Sequence, residues 1–127
     1  RYGTIEIRVC DGLATISETA MIVALSQALA RRASERVAAG VGRTFPPAWR
    51  IRENKWRASR HGMEADLVVG NDGSTQPARE YLRATIEQLV ADGHLEGQSR
   101  HAEALRNLAN GAPTSAERQR ALYERTG

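Results

Sequence analysis

Apolar and polar residues alternate along residues 4–11, near the start of the chain. Successive strand side chains point to opposite faces, so the alternation predicts an extended strand with two unlike sides. One side carries Ile5, Ile7 and Val9. The other side carries Glu6, Arg8 and Cys10. The polar side therefore sets a carboxylate beside a guanidinium, which can hold a metal ion and an anionic substrate or can form a solvated ion pair on a half-buried strand.

The pattern changes to a helical period after a turn at residues 11–14. Thr15 and Glu18 form a capping-box pattern, which predicts a helix that continues towards Ala39. The first half of this helix is apolar nearly all round and is expected to be buried, whereas the second half turns polar and is expected to emerge into solvent. Residues 40–42 read Gly-Val-Gly and predict its end.

A second helix is predicted for residues 48–61, with Pro47 as its first position and Gly62 just past its end. Residues that recur every seven positions predict a stripe facing a core: Trp49, Trp56 and Met63. A different face is polar: Arg50, Asn54, Arg57 and His61, with Arg60 at its shoulder. Such a face is commonly a solvated surface, but asparagine is a poor residue for a helix middle, and its place among arginines favours a functional site.

A hairpin and three further helices complete the predicted fold. A Gly-Asn-Asp-Gly turn marks the hairpin, and the helices that follow begin at a proline or a capping residue and end at glycines or in a weak tail. Thr114 and Glu117 form a second capping-box pattern ahead of the last helix. The predicted elements are strands at residues 65–69 and 74–76 and helices at residues 78–92, 99–110 and 116–125. The whole is expected to be a single, mostly helical α+β domain.

The chain has 127 residues, a net charge of +3 and a single cysteine. This length suits one compact domain, and the modest positive charge fits an anion-binding pocket as well as a nucleic-acid surface. Cys10 has no disulfide partner within the chain, so a reducing, cytoplasmic location is expected. No apolar run is long enough to span a bilayer, and no membrane partner is expected.

The predicted opening strand has no neighbouring strand in the sequence, and the chain does not begin with Met. A lone strand cannot satisfy its backbone groups or cover both faces. We therefore expect a fragment whose partner strands lie upstream, and we leave a homo-oligomer open.

Common catalytic signatures are absent from the sequence. There is no glycine-rich phosphate loop of either usual type and no Cys/His cluster with metal-ligand spacing. Cys10 is expected to be a small packed side chain rather than a nucleophile. Scattered histidines are expected at surface or capping positions: His61, His94 and His101.

One hard-cation ligand, Glu6, remains, together with Arg8 and the polar face of the second helix. Mg²⁺ prefers oxygen ligands and commonly binds through one or two carboxylates plus substrate phosphates. Arginine binds phosphates and carboxylates bidentately. These groups suit phosphoryl transfer, in which positioning and charge stabilisation supply most of the catalysis.

The order of these residues resembles the type 2 glutamate–cysteine ligase group, the carboxylate–amine ligases. Residues 4–11 and the capped helix after them resemble that group's strand and helix, and residues 54–65 resemble its second hallmark. Residues 77–80 and 116–120 also look like its C-terminal portion. The Glu-x-Arg strand is similar to that of glutamine synthetases. The resemblance implies the C-terminal, mostly helical part of an antiparallel-sheet enzyme, with one N-terminal strand, a small hairpin and a helical tail over residues 81–127.

The resemblance further implies an ATP- and Mg²⁺-dependent ligase that activates the γ-carboxylate of glutamate as an acyl phosphate, which an amine such as that of cysteine attacks. Glu6 would be a metal ligand. Arg8 and Arg60 would be catalytic, and Asn54 and Arg57 would bind substrate or nucleotide. One carboxylate cannot complete an ATP–metal site, so we expect the 127-residue piece alone to be inactive and to need the missing N-terminal part of its own chain.

Two alternatives stay open. The basic helix at residues 50–60 could form a nucleic-acid-binding module, although tryptophans on an apolar stripe are not free to stack on bases, and acidic residues interrupt the basic runs. The chain could also be a non-catalytic helical interaction domain of a larger protein.

Overall fold

A computed structural model describes residues 4–8, 10, 12–41 and 45–126. Five α-helices and one two-stranded sheet make up the described chain, which confirms the predicted mostly helical α+β class. A single 3₁₀ turn, Gly62–Glu64, follows the second helix. The elements are α1 (Ile16–Ala38), α2 (Ala48–His61), β1 (Asp66–Val68), β2 (Thr75–Pro77), α3 (Ala78–Ala91), α4 (Ser99–Ala109) and α5 (Ser115–Thr126).

The core lies between α1, α3 and α4 and is built from aliphatic side chains and alanines. Ile86, Leu89 and Leu105 are completely buried. The buried cluster also contains alanines, whose small side chains allow the helices to approach closely. The buried cluster comprises Met21, Ala28, Ile86, Leu89, Leu95, Ala102, Leu105 and Ala109.

Both predicted capping boxes are present. The Thr15 side chain accepts a hydrogen bond from the Glu18 backbone N–H at 3.2 Å, and α1 begins one residue after Thr15. Ahead of α5, the Thr114 hydroxyl accepts from the Glu117 N–H at 3.2 Å, while the Glu117 carboxylate accepts from the Thr114 N–H at 2.6 Å. These contacts satisfy N–H groups that a helix start leaves without partners, which fixes where each helix begins.

The predicted hairpin is also present. β1 and β2 are antiparallel, with Leu67 opposite Gln76. In the turn, the Asp72 carboxylate accepts a hydrogen bond from the Ser74 N–H at 3.0 Å, which lowers the pKa of Asp72. Pro77 ends β2 and caps α3, and the Ala78 N–H donates to the Ala65 carbonyl at 2.8 Å. The hairpin is therefore tied directly to the start of α3.

The predicted N-terminal strand is wrong for the residues that the structure describes. Residues 4–8 and Cys10 belong to no strand, and Ile5 and Ile7 are 74% and 47% exposed. Val9 and Asp11 lie outside the described residues. A strand needs the backbone of a neighbour, and the sheet of the described chain pairs β1 only with β2.

The predicted burial of the first half of α1 is correct on one side only. Met21, Ala24 and Ala28 are buried, whereas Ile16 is 89% exposed and Val23 is 48% exposed. Packing from α3 and α4 reaches one face of α1, so its other apolar residues stay in contact with solvent.

No helix among the described residues combines the length and the apolar character that a bilayer crossing requires.

Candidate functional site

The polar face of α2 packs against the outer edge of β1. Arg50 Nη1 donates to the Val69 carbonyl at 2.6 Å, and Arg57 Nη1 donates to the Asp66 carbonyl at 2.9 Å. Between them, the Asn54 side chain donates to the Val68 carbonyl at 2.9 Å and accepts from the Val68 N–H at 2.7 Å.

These side chains take the place of a third strand. One edge of β1 is paired with β2, and the other edge would leave backbone donors and acceptors without partners. The Asn54 amide has the same donor and acceptor as a peptide group, so it can bond a strand edge in both directions. This explains why an asparagine occupies the middle of a helix where its propensity is poor.

Arg57 and Arg50 make one further contact each with side chains. Arg57 Nε donates to Glu53 Oε1 at 2.7 Å, one helical turn away. Arg50 Nη1 also approaches Asn71 Oδ1 of the hairpin turn at 3.4 Å. Both guanidinium groups are therefore held in defined positions against the hairpin.

A small cavity opens beside this contact. Its volume is about 170 Å³, and its lining includes Arg50, Asn54, Val69 and Tyr81. Ligand pockets for drug-sized molecules commonly measure roughly 300–1,000 Å³. The cavity is therefore smaller than a typical pocket for a drug-sized ligand.

The predicted burial of the tryptophan stripe is wrong. Trp49 is 42% exposed and Trp56 is 58% exposed, while Met63 is only half-buried. α2 contributes no fully buried residue to the protein. The helix docks through hydrogen bonds of its polar face, and this docking turns the aromatic stripe away from the described core.

Glu6 and Arg8 form the ion pair that their spacing suggested. Arg8 Nε lies 2.9 Å from Glu6 Oε1, and Arg8 Nη2 donates to Glu6 Oε2 at 3.0 Å. The two side chains are 69% and 81% exposed. In the described chain this pair is a solvated surface contact.

The described structure brings only some of the predicted site residues together. Asn54 and Arg57 meet at β1, whereas Arg60 is exposed on α2. Among the residues that the structure describes, no hydrogen bond or ion pair joins Glu6 or Arg8 to α2. The catalytic and binding roles of all five residues stay predictions.

The described residues do not make a metal centre on their own. No group of three or more His, Cys, Asp or Glu side chains in the described ranges could hold a metal ion. The carboxylate of Glu6 already faces Arg8, so it offers at most part of a ligand set. A Mg²⁺ site of the expected kind needs further oxygen ligands from outside these residues.

The sequence did not reveal the position of His94. Its side chain is only 4% exposed, where a surface position was predicted, and its Nε2 lies 3.6 Å from Glu35 Oε2. Leu95 beside it is also buried, so the α3–α4 connection folds back over the core. The predicted packing of Cys10 is likewise wrong, because that side chain is exposed.

Comparison with known proteins identifies the family. The model of glutamate–cysteine ligase family 2 matches residues 1–127, so the chain belongs to this family and the resemblance seen in the sequence is confirmed. A relative from Bdellovibrio bacteriovorus is 41% identical over 128 residues, and one from Frankia casuarinae is 36% identical over 127 residues. Both carry glutamate–cysteine ligase 2 as a provisional name.

These relatives are considerably longer than the chain. Each alignment covers 99% of this chain but only 33% of the relative. A further relative from Micrococcus luteus is 44% identical over 90 residues, which is 71% of this chain and 23% of the relative. No solved structure matches the chain. The chain thus spans about a third of the length of the first two relatives.

Proposed function

We propose that the whole protein containing this chain is a carboxylate–amine ligase that joins the γ-carboxylate of glutamate to an amine, with cysteine as the first candidate. The observation that carries the proposal is the family match over residues 1–127. The names of the relatives from Bdellovibrio and Frankia support the same class of reaction.

The proposed reaction uses ATP and passes through a glutamyl acyl phosphate. The γ-carboxylate oxygen attacks the terminal phosphorus of ATP and ADP leaves; the amine then attacks the acyl carbon and phosphate leaves. Such a step needs cationic groups around the transferring phosphoryl group and exclusion of water from the acyl phosphate. We propose that Arg8 and Arg60 supply guanidinium groups and that Glu6 supplies one of several carboxylates for Mg²⁺ in the whole protein.

For Asn54 and Arg57 the contacts favour a positioning role within this proposed site. The Asn54 amide uses a donor and an acceptor on Val68, and Arg57 uses two donors on Asp66 and Glu53. We propose that these bonds fix α2 on the hairpin and thereby hold Arg60 in place. A contact with substrate or nucleotide would use the donors that remain.

The test is a ligase assay on the whole protein. Glutamate, ATP and Mg²⁺ are combined with cysteine and a panel of other amines, and both ADP release and γ-glutamyl amide are measured. We expect amide formation that depends on the amine, and hydroxylamine should trap the acyl phosphate as a hydroxamate. Failure to form an amide with every amine tested would overturn the proposal.

Glu6→Gln tests the metal-ligand role separately. We expect the substitution to abolish ligase activity of the whole protein while circular dichroism and thermal unfolding stay unchanged, because the Glu6 side chain is exposed here. Glu124→Gln, at an exposed position of α5, is the matched control and should keep activity. Activity of Glu6→Gln within a few-fold of the parent would exclude this role.

The 127-residue chain alone is expected to bind ATP weakly or not at all and to make no amide, because the described residues lack a complete ligand set for a metal ion. ATP-dependent ligation by this chain alone would refute that expectation.

A second candidate function, binding of single-stranded nucleic acid, gains support from one observation. Trp49 and Trp56 are exposed on a helix rich in arginine, and exposed aromatic side chains can stack on bases. Affinity for an oligonucleotide that falls steeply as salt rises would favour this function.

A further inference from the structure

The exposed side of α2 forms a surface that this chain leaves uncovered. We call it the tryptophan face and define it by Trp49, Arg52, Lys55 and Trp56, all of them exposed. The two indole rings lie seven residues apart on one helix, which corresponds to about 10 Å along the axis. A buried indole can remove roughly 150–250 Å² from water, so this face holds a large unused apolar area.

The polar face of α2 already binds the hairpin. Arg50, Asn54 and Arg57 bind the outer edge of β1 through hydrogen bonds, and no residue of the helix is fully buried. The helix therefore cannot rotate its tryptophans inward without breaking these bonds. Whatever covers the tryptophan face must approach from outside the described core.

The charged residues around the tryptophans indicate the polarity and charge of a surface that could cover them. Arg50 and Arg57 are bound to the hairpin, and Arg57 also pairs with Glu53. Arg52 and Lys55 are exposed and make no ion pair with the residues that the structure describes. A complementary surface is thus apolar at its centre and carries carboxylates at its rim.

The length of the relatives indicates where that surface comes from. The Bdellovibrio and Frankia relatives have about three times the length of this chain, since the chain covers 33% of each. We propose that the tryptophan face of α2 is the docking surface for the remaining part of the same protein, through an apolar patch bordered by carboxylates. The proposal rests on family membership and on the exposure of α2, and it does not depend on the ligase reaction.

Other occupants are less consistent with the spacing. A single base or a nucleotide would stack on one indole, whereas the two indoles lie about 10 Å apart along the helix and suit an extended surface. A second copy of the chain would need a self-complementary face, but the rim of this face carries two cations, Arg52 and Lys55, and in a two-fold contact like charges would meet.

Hydroxyl-radical footprinting of the whole protein, read by mass spectrometry, tests the proposal. Oxidation rates of Trp49 and Trp56 are compared with that of Tyr123, which is 76% exposed on α5, after correction for intrinsic reactivity. We expect both tryptophans to react several-fold more slowly than their exposure in the described chain predicts. This protection should persist on dilution to monomer and in the absence of nucleotide and nucleic acid.

Each other pattern would overturn the proposal. If the oxidation rates of the two tryptophans match their solvent exposure in the described chain, the tryptophan face is open in the whole protein. Protection that disappears on dilution identifies a second copy as the occupant. Protection that appears only with ATP identifies a nucleotide, and protection that appears only with an oligonucleotide identifies nucleic acid.

A substitution separates docking from a role of the tryptophan in its own helix. Trp56→Glu should raise the oxidation rate of Trp49 several-fold, because burying a carboxylate against the apolar centre of the covering surface is costly. Amide exchange at the Val68 N–H, which is bonded to Asn54, should stay unchanged. Tyr123→Glu is the matched control and should alter neither readout. Unchanged Trp49 protection, or faster exchange at Val68, would contradict docking.

Discussion

The helical core and the α2–hairpin unit are held together by opposite kinds of contact. In the core, Ile86, Leu89 and Leu105 of α3 and α4 are completely buried. In the α2–hairpin unit, the polar side chains Arg50, Asn54 and Arg57 face inward and the tryptophans face outward. The difference shows that an amphipathic helix can dock within its own chain through its polar face, because an unpaired strand edge also needs partners.

The two kinds of contact should respond to different perturbations. Removal of a buried methyl group costs both transfer free energy and the energy of the cavity that is left. A hydrogen bond contributes about 0.5–1.5 kcal/mol net to stability. Removing one partner costs more than this when the other partner stays buried and unsatisfied. Substitutions in the two regions can therefore measure which region carries the stability of the protein.

Leu105→Ala should have the largest effect. Leu105 is completely buried in the cluster between α1, α3 and α4, so the substitution should lower the free energy of unfolding by about 2–5 kcal/mol. Chemical denaturation monitored by circular dichroism gives the value. Leu122→Ala, at a leucine that is 54% exposed on α5, is the matched control and should change stability only slightly. Equal effects of the two substitutions would contradict a core at this place.

Asn54→Ala should have the next largest effect. The change removes both hydrogen bonds to Val68 and leaves a part-buried N–H and carbonyl without partners, which should cost about 1–3 kcal/mol. Amide exchange at Val68 should accelerate, while exchange in α4 should not. The readout is hydrogen–deuterium exchange followed by mass spectrometry or NMR.

Asn107→Ala controls for the loss of an asparagine from a helix. Asn107 is exposed on α4, and its side chain makes no hydrogen bond to the residues that the structure describes. This control should leave exchange at Val68 unchanged. If Asn54→Ala also left Val68 exchange unchanged, the third-strand role of the Asn54 amide would be wrong.

Helix starts and the hairpin turn were predicted correctly from the sequence, because contacts between residues a few positions apart determine them. Thr15 and Thr114 mark helix starts through contacts that span three residues, and the turn at residues 70–73 is determined by its own glycines. Glu6 and Arg8 pair for the same reason, since they are two residues apart. None of these features needs information about distant parts of the chain.

The packing of helices and strands against one another could not be predicted from local patterns in the sequence. Periodicity identified both faces of α2 but could not tell which one meets the edge of β1, because that choice depends on residues 66–69, which come later in the chain. The burial of His94 likewise depends on how the α3–α4 connection folds back over the core. The strand predicted for residues 4–11 is not formed by the residues described there, because a strand exists only with a neighbour.

The contact between α1 and α5 should show a smaller, pH-dependent effect. Arg118 donates to the Glu18 carboxylate, and this bond, with that from Thr15, lowers the pKa of Glu18 below its usual value near 4.5. A carboxyl whose pKa is lowered on folding adds stability above its unfolded pKa, and this stability is lost as the pH falls through the folded pKa.

Arg118→Gln tests this contact. The pKa of Glu18, measured by NMR, should rise towards 4.5. At neutral pH the variant should lose at most about 1 kcal/mol, as is typical of ion pairs near a surface. The difference from the parent should shrink as the pH falls below the usual pKa of a glutamate. Arg125→Gln, near the end of α5, serves as control. A difference in stability between Arg118→Gln and the parent that does not shrink as the pH falls would exclude the ion pair as its source.

The smallest effect is expected at the ion pair that joins the outer surfaces of α3 and α4. Arg106 Nε and Nη2 donate to the two carboxylate oxygens of Glu87 at 2.8 and 2.9 Å, and these bonds lower the pKa of Glu87. Both groups are well solvated, so water and salt screen their attraction. Glu87→Gln should lower the melting temperature only slightly at low salt and not measurably in 1 M NaCl, where the Debye length is about 3 Å. Leu89 and Leu105 join the same two helices within the core. If Glu87→Gln lowered the stability of the protein as much as Leu105→Ala does, polar contacts would hold the core as they hold α2 on the hairpin.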